Sequence, residues 1–246
     1  MAVTTIEALK KKHNNRGNIR KGLNVVVFMA PTSVALPAAL TEGTGQLKEL
    51  ETGWWPVGMM TKDGFTVSVD VSLEEVEALA VVDLLYRAGI GVDRLAVGDD
   101  LEVTSSHRVT FRCDALLSDV DLADYALVFL PGGIPGTPNL KSTRAVTDEA
   151  TRRLEMDLPL AAICAAPSIL AELGLLDGRR ATANPGFLHV LKENGAEVSE
   201  DSVVVDGNLL TSRGMATAVD LGLEIIRFLL DDAAVEAVKK GVVHQY

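Results

Sequence analysis

From Leu23 onward, short runs in which nearly every residue is apolar alternate with stretches whose apolar residues recur at helical spacing. That alternation predicts βαβ units around a parallel sheet. Residues 24–30 (NVVVFMA) are apolar at almost every position, as a strand covered on both faces must be, and are expected at the sheet centre. Residues 125–131 (YALVFLP) and 158–163 (LPLAAI) follow the same rule; the first runs into Gly132-Gly133 and the second straight into Cys164. Residues 74–88 (EEVEALAVVDLLYRA) form the clearest predicted helix, with capping-box spacing between Ser72 and Glu75 ahead of it and Gly89 behind. A strand over 90–97, a β segment over 108–112 and an amphipathic helix over 142–155 complete the middle of the chain. A helix starts near Pro167, a residue tolerated in a first turn because its missing N–H has no intrahelical partner there. Asp206-Gly207-Asn208 between residues 203–205 and 209–211 reads as a hairpin turn, and helices near 215–230 and 232–240 close the chain.

The stretch 31–72, which contains Trp54 and Trp55, fits no βαβ step. Either it is a long insertion after a first strand at 24–30, or residues 65–71 (FTVSVDV) are the first strand and everything before them is an extension. The alternation of 65–71 suits a half-exposed strand rather than a central one, so the insertion reading is adopted. The domain organisation is then a basic N-terminal extension over 1–22 and a single α/β domain over 23–246.

Composition narrows the class of partner. With 48% apolar and 23% charged residues the chain can build a packed core. A net charge of −11 argues against a nucleic-acid backbone as ligand, since such binding rests on clustered Lys and Arg. No apolar run reaches membrane-spanning length and no secretory h-region is present, so a cytoplasmic location and no membrane partner are expected. The cations Lys10, Lys11, Lys12, Arg16, Arg20 and Lys21 would also suit an organelle-targeting segment. Two cysteines, Cys113 and Cys164, do not make a disulfide framework. The four histidines stand in no metal-ligand spacing, so neither metal nor cofactor is expected.

Chemistry concentrates at Cys164, where a buried strand turns into a helix and small Ala165 and Ala166 let the turn be tight. A nucleophile elbow of this kind lifts the reactive atom above the sheet edge, and the following helix N-terminus favours an anionic sulfur. Thiols so placed reach pKa values of about 3.5 to 7.5, against about 8.5 when free, so an ionised Cys164 is expected. The turn after the neighbouring strand, Pro131-Gly132-Gly133, brings backbone N–H groups to the carboxyl end of the sheet, where open α/β folds place ligands.

The segments EEVEALAVVDLLYRAG (74–89), VFLPGGIPGTPNL (128–140), AAICAAPSIL (161–170), ATANPGF (181–187) and VVDGNLLTSRG (204–214) together resemble the ThiJ/PfpI superfamily, in its parkinsonism-protein (DJ-one-like) branch. The resemblance spans roughly 74–241. It implies a flavodoxin-like three-layer sandwich with a mostly parallel central sheet, like that of class I glutamine amidotransferases, assembled as a homodimer. It implies Cys164 as the reactive cysteine, Glu77 as the glutamate bonded to it, and Gly132, Gly133 and Ala165 as backbone donors. Because a charged carboxylate would raise the thiol pKa, Glu77 must be protonated to support a thiolate, and the two groups must titrate together. Asn184 stands where many relatives have histidine, His107 with Arg108 where an arginine is usual, and Met215-Ala216 after Arg213-Gly214 where Pro-Gly is usual; Asn184, His107 and Arg213 are assigned to the substrate pocket.

The activity the resemblance implies is glyoxalase III or protein deglycase chemistry on small dicarbonyls or glycated proteins, without metal or glutathione. The alternative is a redox sensor or chaperone working through oxidation of Cys164. An amidotransferase-like subunit would need a Cys-His-Glu triad, and no histidine stands in a motif that supplies one.

Overall fold

The computed structural model describes residues 24–29, 73–134 and 136–244. Both candidate segments that bear on the N-terminal half of the sequence reading, 1–22 and 31–72, lie outside these residues.

Strand β1 (Asn24–Met29) pairs in parallel with β2 (Gly91–Ala96) on one side and β6 (Leu127–Leu130) on the other. A central place follows from its composition: Val25, Val26, Val27, Phe28 and Met29 are all fully buried, which only a strand covered on both faces achieves. The seven-stranded sheet runs β10-β11-β7-β6-β1-β2-β5, with β5 at Ala115–Leu116, β7 at Leu160–Ile163, β10 at Val203–Asp206 and β11 at Leu209–Ser212. All its pairs are parallel except the β10–β11 hairpin, whose turn is the predicted one. The expected first strand is thus the one at 24–29. Small two-stranded ladders join β3 (Glu102–Thr104) to β4 (Thr110–Arg112) and β8 (Arg180–Ala181) to β9 (Glu197–Val198).

Alternate residues of β1 enter opposite cores. Val25, Val27 and Met29 pack with α1 (Glu75–Arg87), α6 (Ala218–Leu229) and α7 (Asp232–Gly241), whereas Val26 and Phe28 pack with α3 (Arg144–Glu155), α4 (Pro167–Glu172) and α5 (Leu188–Glu193). Helices on both faces of a mostly parallel sheet make the predicted three-layer sandwich. Helices α1 and α6 close against each other at Gly222, where an added Cβ would sit 2.5 Å from Leu84 Cδ1.

Two details of the prediction change. Helix α1 is capped by Glu74, whose carboxylate accepts from the Glu77 N–H at 2.7 Å; Ser72, the expected cap, lies outside the described residues. The helix expected over 142–155 is α3, which starts at Arg144, and an unpredicted helix, α2 (Gly136–Ser142), precedes it; Thr143 leaves helical geometry between them, its hydroxyl donating back to the Asn139 carbonyl at 2.8 Å.

Candidate active site

The carboxyl ends of β6 and β7 and the first turn of α1 meet at one point. Cys164, the residue after β7, holds a left-handed backbone with φ of 64°, a conformation that costs a non-glycine residue about 1–3 kcal/mol. Its surroundings impose that geometry. The Cys164 N–H donates to the Ser212 carbonyl at the end of β11 (3.0 Å), its carbonyl accepts from the Asn184 N–H (2.9 Å), and Ala166 N–H closes the turn on Ile163 O (3.0 Å). Ala165 and Ala166 are fully buried beneath it, and larger side chains would not fit. The sulfur-bearing residue itself stays partly exposed.

Glu77 faces it from α1 and is only 1% exposed. Its carboxyl hydrogen-bonds the Cys164 thiol, and the N–H groups of Gly132 (3.1 Å to Oε2) and Met215 donate to it. The backbone N–H groups of Gly133 and Ala165 donate to the sulfur. Gly132 therefore departs from its predicted role: its N–H is taken up by Glu77, leaving Gly133 and Ala165 as the donors around the sulfur. Both backbone groups of Gly132 face α1, since its carbonyl accepts from Glu74 N–H at 3.1 Å.

Gly132 is also the spacer between the two reactive groups. A Cβ there would lie 2.5 Å from Cys164 Cβ, 2.7 Å from Glu77 Oε2 and 2.8 Å from Ile163 O. Gly132→Ala is expected to push Cys164 and Glu77 apart, slowing Cys164 alkylation at neutral pH at least about tenfold, and overpacking of this kind costs about 1–3 kcal/mol of stability. Wild-type alkylation and thermal midpoints in that variant would show the glycine to be replaceable.

Burial dominates the electrostatics. It pushes Glu77 up from 4.5 to about 7, helped by the charge of Glu74 and opposed by the hydrogen bonds from Cys164, Gly132 and Met215. Burial, then the charge and hydrogen bond of Glu77, pushes the Cys164 thiol up to about 12, against the pull of the Gly133 and Ala165 amides. This upward direction is opposite to the lowered thiol that an elbow alone suggests, because burial penalises the thiolate and the neighbouring carboxylate opposes a second charge. Treated as one coupled unit, the pair gives up a first proton near pH 7 and a second near 12. Which atom gives up the first decides the chemistry.

The other cysteine is unlike it. Cys113 is 4% exposed, and burial pushes its thiol up to about 11, so it belongs to the core.

The remaining predicted pocket residues divide. Asn184 is at the site: its Nδ2 and Glu77 Oε1 each lie 3.7 Å from where a Cβ on Gly214 would stand, and its Oδ1 accepts from Gly186 N–H at 3.1 Å. His107 sits on the turn between β3 and β4 beside the start of α1, 69% exposed, with Nδ1 2.9 Å from Glu75 Oε1. Arg213 points elsewhere; its guanidinium donates to the Glu200 carbonyl at 2.6 Å. The backbone around it matters instead. Thr217 Oγ1 accepts from Arg213 and Gly214 N–H (3.2 and 3.1 Å) and fixes the turn that delivers the Met215 N–H to Glu77. A residue other than proline at 215 is the sequence signal for that donor.

Glu74, Glu75 and His107 also place possible metal-ligand atoms within 4.8 Å of one another. Local spacing does not reveal this, since His107 arrives through the tertiary fold. Glu74 already caps Glu77 and Glu75 already pairs with His107.

Comparison with known proteins agrees with the fold. A sequence model described as the DJ-1/PfpI family matches residues 60–228. Protein DJ-1 homolog B of Arabidopsis thaliana is 38% identical over 62% of the chain, and the match spans only 35% of that longer protein. Protein dj-1beta of Drosophila melanogaster is 35% identical over 70% of the chain and 92% of its own length. Its crystal structure superposes with a TM-score of 0.71 at 28% identity, covering 92% of this chain and all of that one. The family match takes in both Cys164 and Glu77 and every strand of the seven-stranded sheet except β1, and the chain belongs to the DJ-1/PfpI family.

Proposed function

We propose that the protein is a cysteine-dependent enzyme that converts small dicarbonyls such as methylglyoxal to hydroxy acids by internal redox and addition of water, without metal or glutathione, and that the same chemistry removes early dicarbonyl adducts from proteins. The observation that carries this reading is the hydrogen bond between the thiol of Cys164, a half-buried residue, and the carboxyl of Glu77, a buried one. The amides of Gly133 and Ala165 face the sulfur and favour a negative charge there. On this reading the first proton leaves Cys164 and the remaining one stays on Glu77. A relative 28% identical over 63% of the chain is named glutathione-independent glyoxalase DJR-1.2, of Caenorhabditis elegans.

The steps balance without an outside oxidant. The Cys164 thiolate attacks the aldehyde carbon, forming a C–S bond, and Glu77 gives its proton to the resulting oxyanion. Glu77, now a carboxylate, removes the hydrogen from that carbon as a proton and returns it to the adjacent carbonyl carbon, while the hydroxyl proton passes from the first oxygen to the second. The aldehyde carbon is thereby oxidised to a thioester and its neighbour reduced to an alcohol. Water cleaves the thioester, releasing lactate and restoring the thiolate. As part of the same proposal the chain works as a homodimer, to be checked by light scattering.

The test is lactate formation from methylglyoxal with no added thiol. Wild type is expected to turn over and Cys164→Ser to lose activity; equal rates in the two would refute the mechanism.

A second reading is favoured by the half-buried position of Cys164 and by the solved structure of Toxoplasma gondii DJ-1 in an oxidised form, 25% identical with a TM-score of 0.71 over 91% of this chain. Two equivalents of peroxide would convert the thiolate to a sulfinate, releasing two waters. Selective gain of two oxygens at Cys164, with no lactate formed, supports sensing over turnover.

A further inference from the structure

Glu77 is held by more than its own helix. The Glu74 N–H donates to the Gly132 carbonyl at 3.1 Å, the Gly132 N–H donates to Glu77 Oε2 at 3.1 Å, and the Glu77 N–H donates to Glu74 Oε2 at 2.7 Å. These three bonds close a ring through residues 74, 132 and 77 that ties the first turn of α1 to the loop after β6. Gly132, the one member without a side chain, is the residue wedged between Glu77 and Cys164. We propose that Glu74 is a positioning residue for Glu77: its backbone and carboxylate fix that carboxyl against Gly132 and Cys164, and its charge keeps the shared proton on Glu77 rather than on sulfur. This rests on the reading of Cys164 and Glu77 as nucleophile and proton carrier.

The groups around Glu77 give the sign. From α1 it faces Glu74, from the elbow Cys164, and from the two adjoining loops the amides of Gly132 and Met215. Burial and the Glu74 carboxylate oppose a negative charge on Glu77, and the hydrogen bond from Cys164 and the two amides favour one. Glu74 is itself steadied by position. It caps a helix of 13 residues, whose free N-terminal amides favour an anion, while Glu75 and His107 flank it from α1 and the β3–β4 turn. Burial and then the Glu75 charge raise the Glu74 carboxyl, and the Glu77 N–H and His107 lower it. Removing the charge of Glu74 makes an ionised Glu77 easier to form. An ionised Glu77 returns the proton to sulfur, so the pool of thiolate shrinks.

The test separates charge from capping. Iodoacetamide alkylation of Cys164 is followed by mass spectrometry of its peptide, from about pH 5 to 9, in wild type, Glu74→Ser, Glu74→Gln and Glu74→Asp. Serine and aspartate both cap helices well, and only aspartate carries charge. The expected result is a three- to tenfold slower reaction at pH 7 in the serine and glutamine variants, equivalent to about half to one pKa unit, with aspartate within about twofold of wild type. Serine and aspartate variants that behave alike, whether fast or slow, would assign Glu74 to capping alone and overturn the proposal. A wild-type Cys164 that does not react near neutral pH would overturn the parent reading with it, and that failure is visible before any variant is made.

Discussion

Glu77→Gln is expected to cut lactate formation from methylglyoxal at least about a hundredfold, the lower range for losing a group that both gives and takes a proton in the reaction. Glutamine fits the same buried space and still donates to the sulfur, but it cannot accept the proton removed from carbon. Cys164 alkylation reports the other half of the pair. In wild type its rate should rise through the first step of the pair, near pH 7. In the variant the midpoint should move up by about a unit or more, because an amide is a weaker donor to a thiolate than a carboxylic acid. A midpoint that moved down instead would mean that wild-type Glu77 carries the charge and suppresses the thiol, and the proposed mechanism would fail. Folding stability carries the same information with a definite sign. Between about pH 4.5 and 7 the folded pair holds one proton more than the unfolded chain, whichever of the two groups gives it up, so this contribution is full at low pH and is lost as pH rises through about 7. The stability of wild type relative to Glu77→Gln, from urea unfolding, should therefore fall between about pH 4.5 and 7, by at most about 3 kcal/mol.

Arg153→Met is expected to destabilise the fold by about 3–5 kcal/mol while leaving Cys164 reactivity close to wild type. Arg153, on α3, is 1% exposed; its Nε pairs with Glu149 at 2.7 Å, and its terminal nitrogens donate to the carbonyls of Leu122, Tyr125, Ala126 and Pro159 at 2.7 to 3.4 Å. Those carbonyls line the chain entering β6 and β7, at the end of the sheet opposite Cys164. Methionine fills most of the space and leaves the carbonyls without their donor, the expensive half of breaking a buried pair. Glu149 keeps Arg152 at 2.7 Å, so the loss is mainly that of the lost carbonyl bonds. For a domain of this size the thermal midpoint should drop by roughly 10 °C. A drop under about 2 °C would show that water or neighbouring groups replace the guanidinium.

Much of this arrangement is legible in the residues alone, and the exceptions have physical causes. Strands at 24–29, 127–130 and 160–163 are readable because burial on both faces leaves only apolar side chains. The elbow is readable because two alanines follow Cys164 where a bulky residue would block the turn. The start of α1 is not: Ser72 and Glu75 match a capping box, yet Glu74 does the capping, and spacing cannot rank caps two residues apart. The partner of the Gly132 N–H depends on the tilt of one peptide plane, which no side-chain pattern records. Arg153 is hidden for another reason. An arginine on an amphipathic helix reads as solvent-facing, and only the carbonyls gathered by the tertiary fold make its burial tolerable. The turn of Arg213 toward Glu200 likewise follows from the loop before β10 and not from the motif that contains it.

The left-handed backbone at Cys164 sets the chemistry of this protein against its own durability. Glycine would occupy that corner without strain, so a copy that dropped the sulfur for glycine would gain robustness as it lost reactivity. Mutational drift at this site therefore runs downhill toward an inert scaffold, and only selection on the thiol holds it back. A natural homologue with glycine at this corner is best understood as one in which that selection has lapsed.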